Sequence, residues 1–146
     1  MIIRIIKNLP LSVEYRFHKK LNKWIKFILN LNNYIHLNVF TLNITKIKYK
    51  ELIDPVLNTI EPILNDLELE LEFIYIYYSK SKRLFDISNP CSILDKYICD
   101  AIVEKGIIPE DNVSIIKKVT YEYGGIDKLN PRVDLVIKKY EPINYF

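Results

Sequence analysis

Apolar and polar residues alternate most regularly over Leu67–Tyr78, LELELEFIYIYY, a period of two that predicts a β-strand. Leu67, Leu69, Leu71, Phe73, Tyr75 and Tyr77 share one face. Glu68, Glu70, Glu72, Ile74, Ile76 and Tyr78 share the other, which turns from acidic to apolar midway. A different period follows. Ile93, Leu94, Tyr97, Ile98, Ala101 and Ile102 fall on one face of a 3.6-residue repeat, predicting an amphipathic helix over about Ser92–Lys105. Asn89-Pro90 supplies its start signal, and Gly106, which takes a left-handed conformation easily, supplies its stop.

The flanking segments read as follows. Met1–Lys7 is β-prone and predicts a short strand. In Leu11–Asn22 the four-residue spacing of Val13, Phe17 and Leu21 favours a short helix. Trp24–Leu29 predicts a strand, with Asn30–Asn33 as its turn. Val39–Leu64 predicts a helix kinked or broken near Pro55 and Pro62, which donate no backbone hydrogen bond, and Asn65-Asp66 a turn. Val113–Tyr123 and Arg132–Tyr140 predict strands, with Gly124-Gly125 turning the chain and Glu141–Phe146 a loosely held tail. The expectation is one α+β domain spanning residues 1–146: a mainly antiparallel (mixed) sheet with helices packed on one face. Residues 1–23 are read as an added segment that supplies an edge strand or a dimer contact.

Composition narrows the functional classes. With 49% hydrophobic and 27% charged residues, the 146-residue chain has the balance of a globular domain large enough for a core. No apolar run is long enough to span a bilayer, and MIIRIIKNLP lacks signal-peptide character, so a cytoplasmic protein with no membrane partner is expected. Cys91 and Cys99 lack CxxC spacing and fit reduced thiols. No phosphate loop or dinucleotide fingerprint is present, and His18 and His36 have no metal-ligand spacing.

The acidic residues bring chemistry into view. Asp86 precedes the central helix, Asp95 and Asp100 lie on it, and Glu110 and Asp111 follow it. Hard carboxylate oxygens of this kind suit Mg²⁺, with Mn²⁺ as a substitute, and such an ion can activate water for phosphodiester hydrolysis. Lys96 could stabilise charge on a phosphate; the Lys96–Asp100 spacing is equally that of a surface i,i+4 pair. The predicted helix is roughly 20 Å long at 1.5 Å per residue. An extended Gly106–Asp111 returns about 17 Å, so Asp86 and Asp111 could meet. The net charge of +3 is mild, but Lys80, Lys82 and Arg83 lie just before Asp86, and Lys117 and Lys118 follow Asp111. That basic rim could draw a phosphate backbone, and strand tyrosines could pack in the sheet or stack on exposed bases.

Several pieces in this order resemble the RusA family of Holliday-junction resolvases. They are Asp86-Ile87-Ser88-Asn89, then Lys96-Tyr97-Ile98-Cys99-Asp100-Ala101-Ile102, then Gly106-Ile107-Ile108-Pro109-Glu110-Asp111. Leu31-Asn32-Asn33-Tyr34-Ile35 upstream and Asp127-Lys128-Leu129-Asn130-Pro131-Arg132-Val133 downstream extend the likeness to roughly Trp24–Ile137. The resemblance implies a homodimeric, Mg²⁺-dependent endonuclease that cuts branched DNA in phage or prophage recombination, repair or replication. It implies metal ligation by Asp86 and Asp111, assistance from Lys96, loop positioning by Asn89, and contact of Asn32 and the basic rim with DNA. Where the family carries a second aspartate this chain has Ser88, which brings no charge; Asp95 or Glu110 is the candidate replacement, and Asp100 a residue that orients Lys96. The rival expectation is a descendant that binds DNA or protein without cutting.

Overall fold

The computed structural model describes residues 1–63 and 69–144. In chain order the elements are β1 (Ile2–Leu9), β2 (Ser12–His18), β3 (Lys23–Ile28), α1 (Leu31–His36), α2 (Val39–Leu57), β4 (Leu71–Ser79), α3 (Ser88–Glu104), β5 (Ile116–Ile126) and β6 (Arg132–Lys139). Four strands form one sheet in the order β1-β6-β4-β5, and β2 pairs with β3 as a separate two-stranded ribbon. The β1–β6 and β6–β4 pairs are antiparallel, whereas β4 and β5 run parallel. The fold is therefore α+β with a mixed sheet. α3 is the crossover between the parallel strands, the connection such a pair requires.

The alternation in β4 sorts its two faces. Phe73, Tyr75 and Tyr77 stand opposite Ile137, Leu135 and Val133, and this face, with Ile6 and Leu9 of β1, supports the core. α3 lies against it with Ile93, Leu94, Ile98 and Ile102 fully buried. On the other face Ile74, Ile76, Tyr78 and Val136 are only half-buried. The Arg132 guanidinium lies 4.0 Å from the Tyr78 ring centre on that face.

Several elements differ from the sequence expectation. Leu11–Asn22 is not a short helix: Val13 pairs with Phe27 across the ribbon, and both are buried. The four-residue spacing of Val13 and Phe17 misleads because the register shifts between Glu14 and Arg16, an irregularity that resets which side chains share a face. Asn30–Asn33 is not a plain turn. Asn30 accepts a hydrogen bond from the Asn33 N–H at 2.8 Å and so caps α1, as Asn38 caps α2 through Thr41.

α2 runs through Pro55 and ends at Leu57, short of Leu64. Pro55 is exposed and lies in the last turn, where it removes the one backbone hydrogen bond to the Glu51 carbonyl without ending the helix. Leu64, the expected Asn65-Asp66 turn, and Leu67 and Glu68 of the expected strand lie outside the described residues.

α3 starts earlier than its periodicity indicates, at Ser88, and Asn89 does not cap it. Gly106, with φ of 81°, does follow its end. Gly124-Gly125 is not a turn either: both glycines lie inside β5, where a Cβ on Gly124 would come within 2.6 Å of the Tyr78 ring. Among the described residues no helix is long and apolar enough to cross a membrane.

Candidate functional site

Of the acidic residues singled out by the sequence, Asp86, Asp95 and Asp111 line depressions shared with β5, the edge strand of the sheet, whereas Asp100 and Glu110 do not. Asp95 projects from the helix towards β4. Tyr75 donates a hydrogen bond from its hydroxyl to Asp95 Oδ1 at 2.6 Å, and the Cys99 thiol donates to the same oxygen at 3.2 Å. The i,i+4 spacing of Asp95 and Cys99 places the two side chains together. With Oδ1 held twice, Oδ2 makes no hydrogen bond to the described residues and is the oxygen available to a ligand.

Asp95, Lys96 and Asp111 line one cleft of about 430 Å³, with Cys99, Asn112, Val113, Ile116 and Val119 completing its walls. Asp111 arrives there because α3 stops at Gly106 and the apolar pair Ile107-Ile108 is buried, which turns the following loop back along the helix. Lys96 is exposed and forms no ion pair with Asp100 or with any other described residue. Glu110 lies outside this cleft and accepts from Asn112 at 2.8 Å.

Asp86 sits elsewhere. It lines a depression of about 600 Å³ with Lys82, Arg83, Ser88 and Tyr123, and a second one with Asn32, Asn89 and Tyr77. Ser88 lines its cleft together with the end of β5 (Tyr123, Ile126), while Asp95 and Cys99 line theirs with its beginning (Ile116, Val119). The two clefts therefore lie at opposite ends of the α3–β5 groove and share no lining residue. Ser88 and Asp95 are roughly 10 Å apart along the helix axis at 1.5 Å per residue. Asp86 and Asp111 thus occupy opposite ends of the groove and line no common cleft, and the carboxylate beside Asp111 is Asp95.

The supporting residues have clear local roles. Asn89 Oδ1 accepts from the Leu31 N–H at 2.9 Å, tying α1 to the start of α3 and bringing Asn32 beside Asp86. Asp100 lies half-buried on α3 outside the cleft. Lys80, Lys82 and Arg83 are exposed in the β4–α3 loop. Lys117 and Lys118 stand 3.9 Å from Glu70 and Glu72. The Asp127–Arg132 stretch is a structural knot: Arg132 donates to Asp127 at 2.7 Å and to Asp134 at 3.2 Å, closing the β5–β6 connection.

Sequence reasoning missed Tyr75 and Cys99. The signal was present, since a tyrosine on the core face of an alternating strand must find a partner for its hydroxyl. It also missed the ring cluster of Tyr77, Phe85 and Tyr123, with centroids 5.2 and 5.8 Å apart, which walls the Asp86 end of the groove.

Burial pushes the Cys91 thiol up to about 12, with the Asp95 charge adding to it, and drives Cys99 well above its ordinary value, so both stay protonated near neutrality. Burial raises Tyr121 to about 12, again with help from Asp95. Among the described residues no three His, Cys, Asp or Glu side chains gather around one point. Asp95 and Asp111, which line the same cleft, are the residues that would hold a hard ion such as Mg²⁺, which keeps several waters and shares its remaining positions with substrate phosphate. Compared with known proteins, the sequence matches no family model and no curated relative.

Proposed function

We propose that this protein is a Mg²⁺-dependent endonuclease of RusA type acting on branched DNA, four-way junctions above all, and working as a homodimer. The observation that carries the reading is the shared cleft of Asp95, Lys96 and Asp111, with Asp95 fixed by Tyr75. Asp95 and Asp111 are the residues that would hold Mg²⁺ or Mn²⁺. When bound, the ion supplies polarisation of the phosphoryl group and an activated water.

The chain's own groups account for the rest. The hydroxyl of Tyr75 removes the rotational freedom of Asp95 and leaves Oδ2 facing outwards, so little reorganisation is needed on binding. Lys96, unpaired and one residue from Asp95, brings an ammonium to the charge that builds on the scissile phosphate. Lys80, Lys82 and Arg83 draw the phosphate backbone towards the Asp86 end of the groove, where Phe85 and Tyr123 offer aromatic faces. Asp86 lies at that end, at a distance from the Asp95–Asp111 pair. Ser88 lies at that same end, so the missing carboxylate leaves the Asp95–Asp111 pair intact. A second reading, a DNA-binding descendant that no longer cuts, draws on the small number of carboxylates in the cleft.

A labelled four-way junction incubated with Mg²⁺ or Mn²⁺ separates the two. Wild type is expected to nick it near the crossover, and Asp111→Asn to lose at least a hundredfold in rate while still binding. Tight binding by wild type without nicking under either metal would replace the first reading with the second.

A further inference from the structure

The β2–β3 ribbon is the part of the molecule that the groove does not use, and its chemistry is distinctive. It carries five cations, Arg16, Lys19, Lys20, Lys23 and Lys26, against the single carboxylate Glu14. The ribbon thus accounts for the chain's whole net charge of +3 and one charge more. All five cations are exposed, and none forms an ion pair with a described residue.

Its aromatic residues divide between two ends. At the root, Val13 and Phe27 are buried, and Phe27 stacks on Tyr97 of α3 with centroids 6.0 Å apart. Towards the tip, Phe17 and Trp24 form a cross-strand pair at 5.7 Å, edge to face, and remain 43% and 50% exposed. A core anchor therefore holds the root of the ribbon, while its outer half is exposed, basic and aromatic. Its root continues through Ile28, Leu29 and Asn30 into the depression that contains Asp86.

We infer that this ribbon is a DNA-gripping arm: its cations neutralise the phosphate backbone of one arm of a branched DNA, and Trp24 packs on a base exposed at the branch. A two-stranded antiparallel ribbon has the width that a DNA groove admits, and stacking on an indole tolerates any base. A second copy of the chain does not fit this surface, because two-fold pairing would set the same five cations against one another. Insertion into a bilayer is disfavoured by the lysines at the very tip, which lead the aromatic pair rather than follow it. The inference extends the nuclease reading but stands on the ribbon's own charge and rings.

Trp24 is the only tryptophan of the chain and so reports on the arm directly. The experiment is titration of the full-length protein with a fluorescein-labelled four-way junction in EDTA, following junction anisotropy and Trp24 emission together at several salt concentrations. The expected result is quenching of Trp24 in step with binding. Lys19→Gln/Lys20→Gln/Lys23→Gln should lower the slope of log affinity against log salt by about 2 to 3, and Trp24→Ala should weaken binding about tenfold.

Binding with unaltered Trp24 emission and an unaltered salt slope would overturn the arm while leaving the nuclease reading in place. Quenching by phosphatidylserine vesicles but not by the junction would overturn it as well, as would absence of any binding at low salt. Quenching and a reduced slope, without nicking when Mg²⁺ is restored, would keep the arm and remove the nuclease.

Discussion

At the residue scale, the chemistry of the groove depends on polar groups that the core holds in one state. Cys91 and Cys99 are buried beside Asp95, and both thiols ionise at higher pH in the folded protein than in the unfolded chain. Their contribution to stability is therefore complete below pH 9.0 and is lost as pH rises towards the folded value, about 12 for Cys91. The loss should be about 1.4 kcal/mol per pH unit for each thiol once the unfolded thiols ionise. Urea midpoints measured from about pH 8 to about pH 10 should fall, and the fall should be shallower in Cys91→Ala. A flat midpoint across that range would contradict the assignment. Tyr75 shows what a sequence alone leaves hidden at this scale. Its burial follows from the alternation of β4, but its partner, Asp95, is set by how α3 lies on the sheet.

At the element scale, long periodic segments were legible and short ones were not. Alternation in β4 and the 3.6-residue repeat of α3 each involve enough residues that one misplaced side chain does not hide the period. β2 spans seven residues and contains a register irregularity, so its spacing imitates a helix. The Gly124-Gly125 pair has the composition of a turn, yet lies within β5, where the register against β4 slips by one residue at Gly124 and the ring of Tyr78 fills the space a side chain there would need. Gly124→Ala tests that explanation. Its Cβ would meet Tyr78 Cε1 at 2.6 Å and Ile76 Cγ2 at 2.9 Å, forcing the ring aside. We expect a loss of about 1–3 kcal/mol in chemical denaturation, whereas a change under about 0.5 kcal/mol would show that the ring is not packed there.

At the scale of the whole molecule, the mixed sheet explains why the expected carboxylate pair is divided. β4 and β5 run parallel, so α3 must cross the full length of the sheet between them. Residues before and after the helix are thereby carried to opposite ends of the α3–β5 groove. Asp86 stays at the end that holds the basic loop and the root of the ribbon, and Asp111 reaches the end that holds Asp95. The parallel pairing could not be read from strand patterns, which carry no direction. The acidic character of the segment could, because it depends only on composition near a helix.

The most direct test of this account is a Mn²⁺ titration of the protein without DNA, followed by water-proton relaxation, for wild type, Asp95→Asn, Asp111→Asn and Asp86→Asn. The account predicts one bound ion per chain, with affinity falling at least tenfold in Asp95→Asn and in Asp111→Asn and much less in Asp86→Asn. Full binding retained by Asp95→Asn, with loss in Asp86→Asn, would contradict it and return the metal to the other end of the groove.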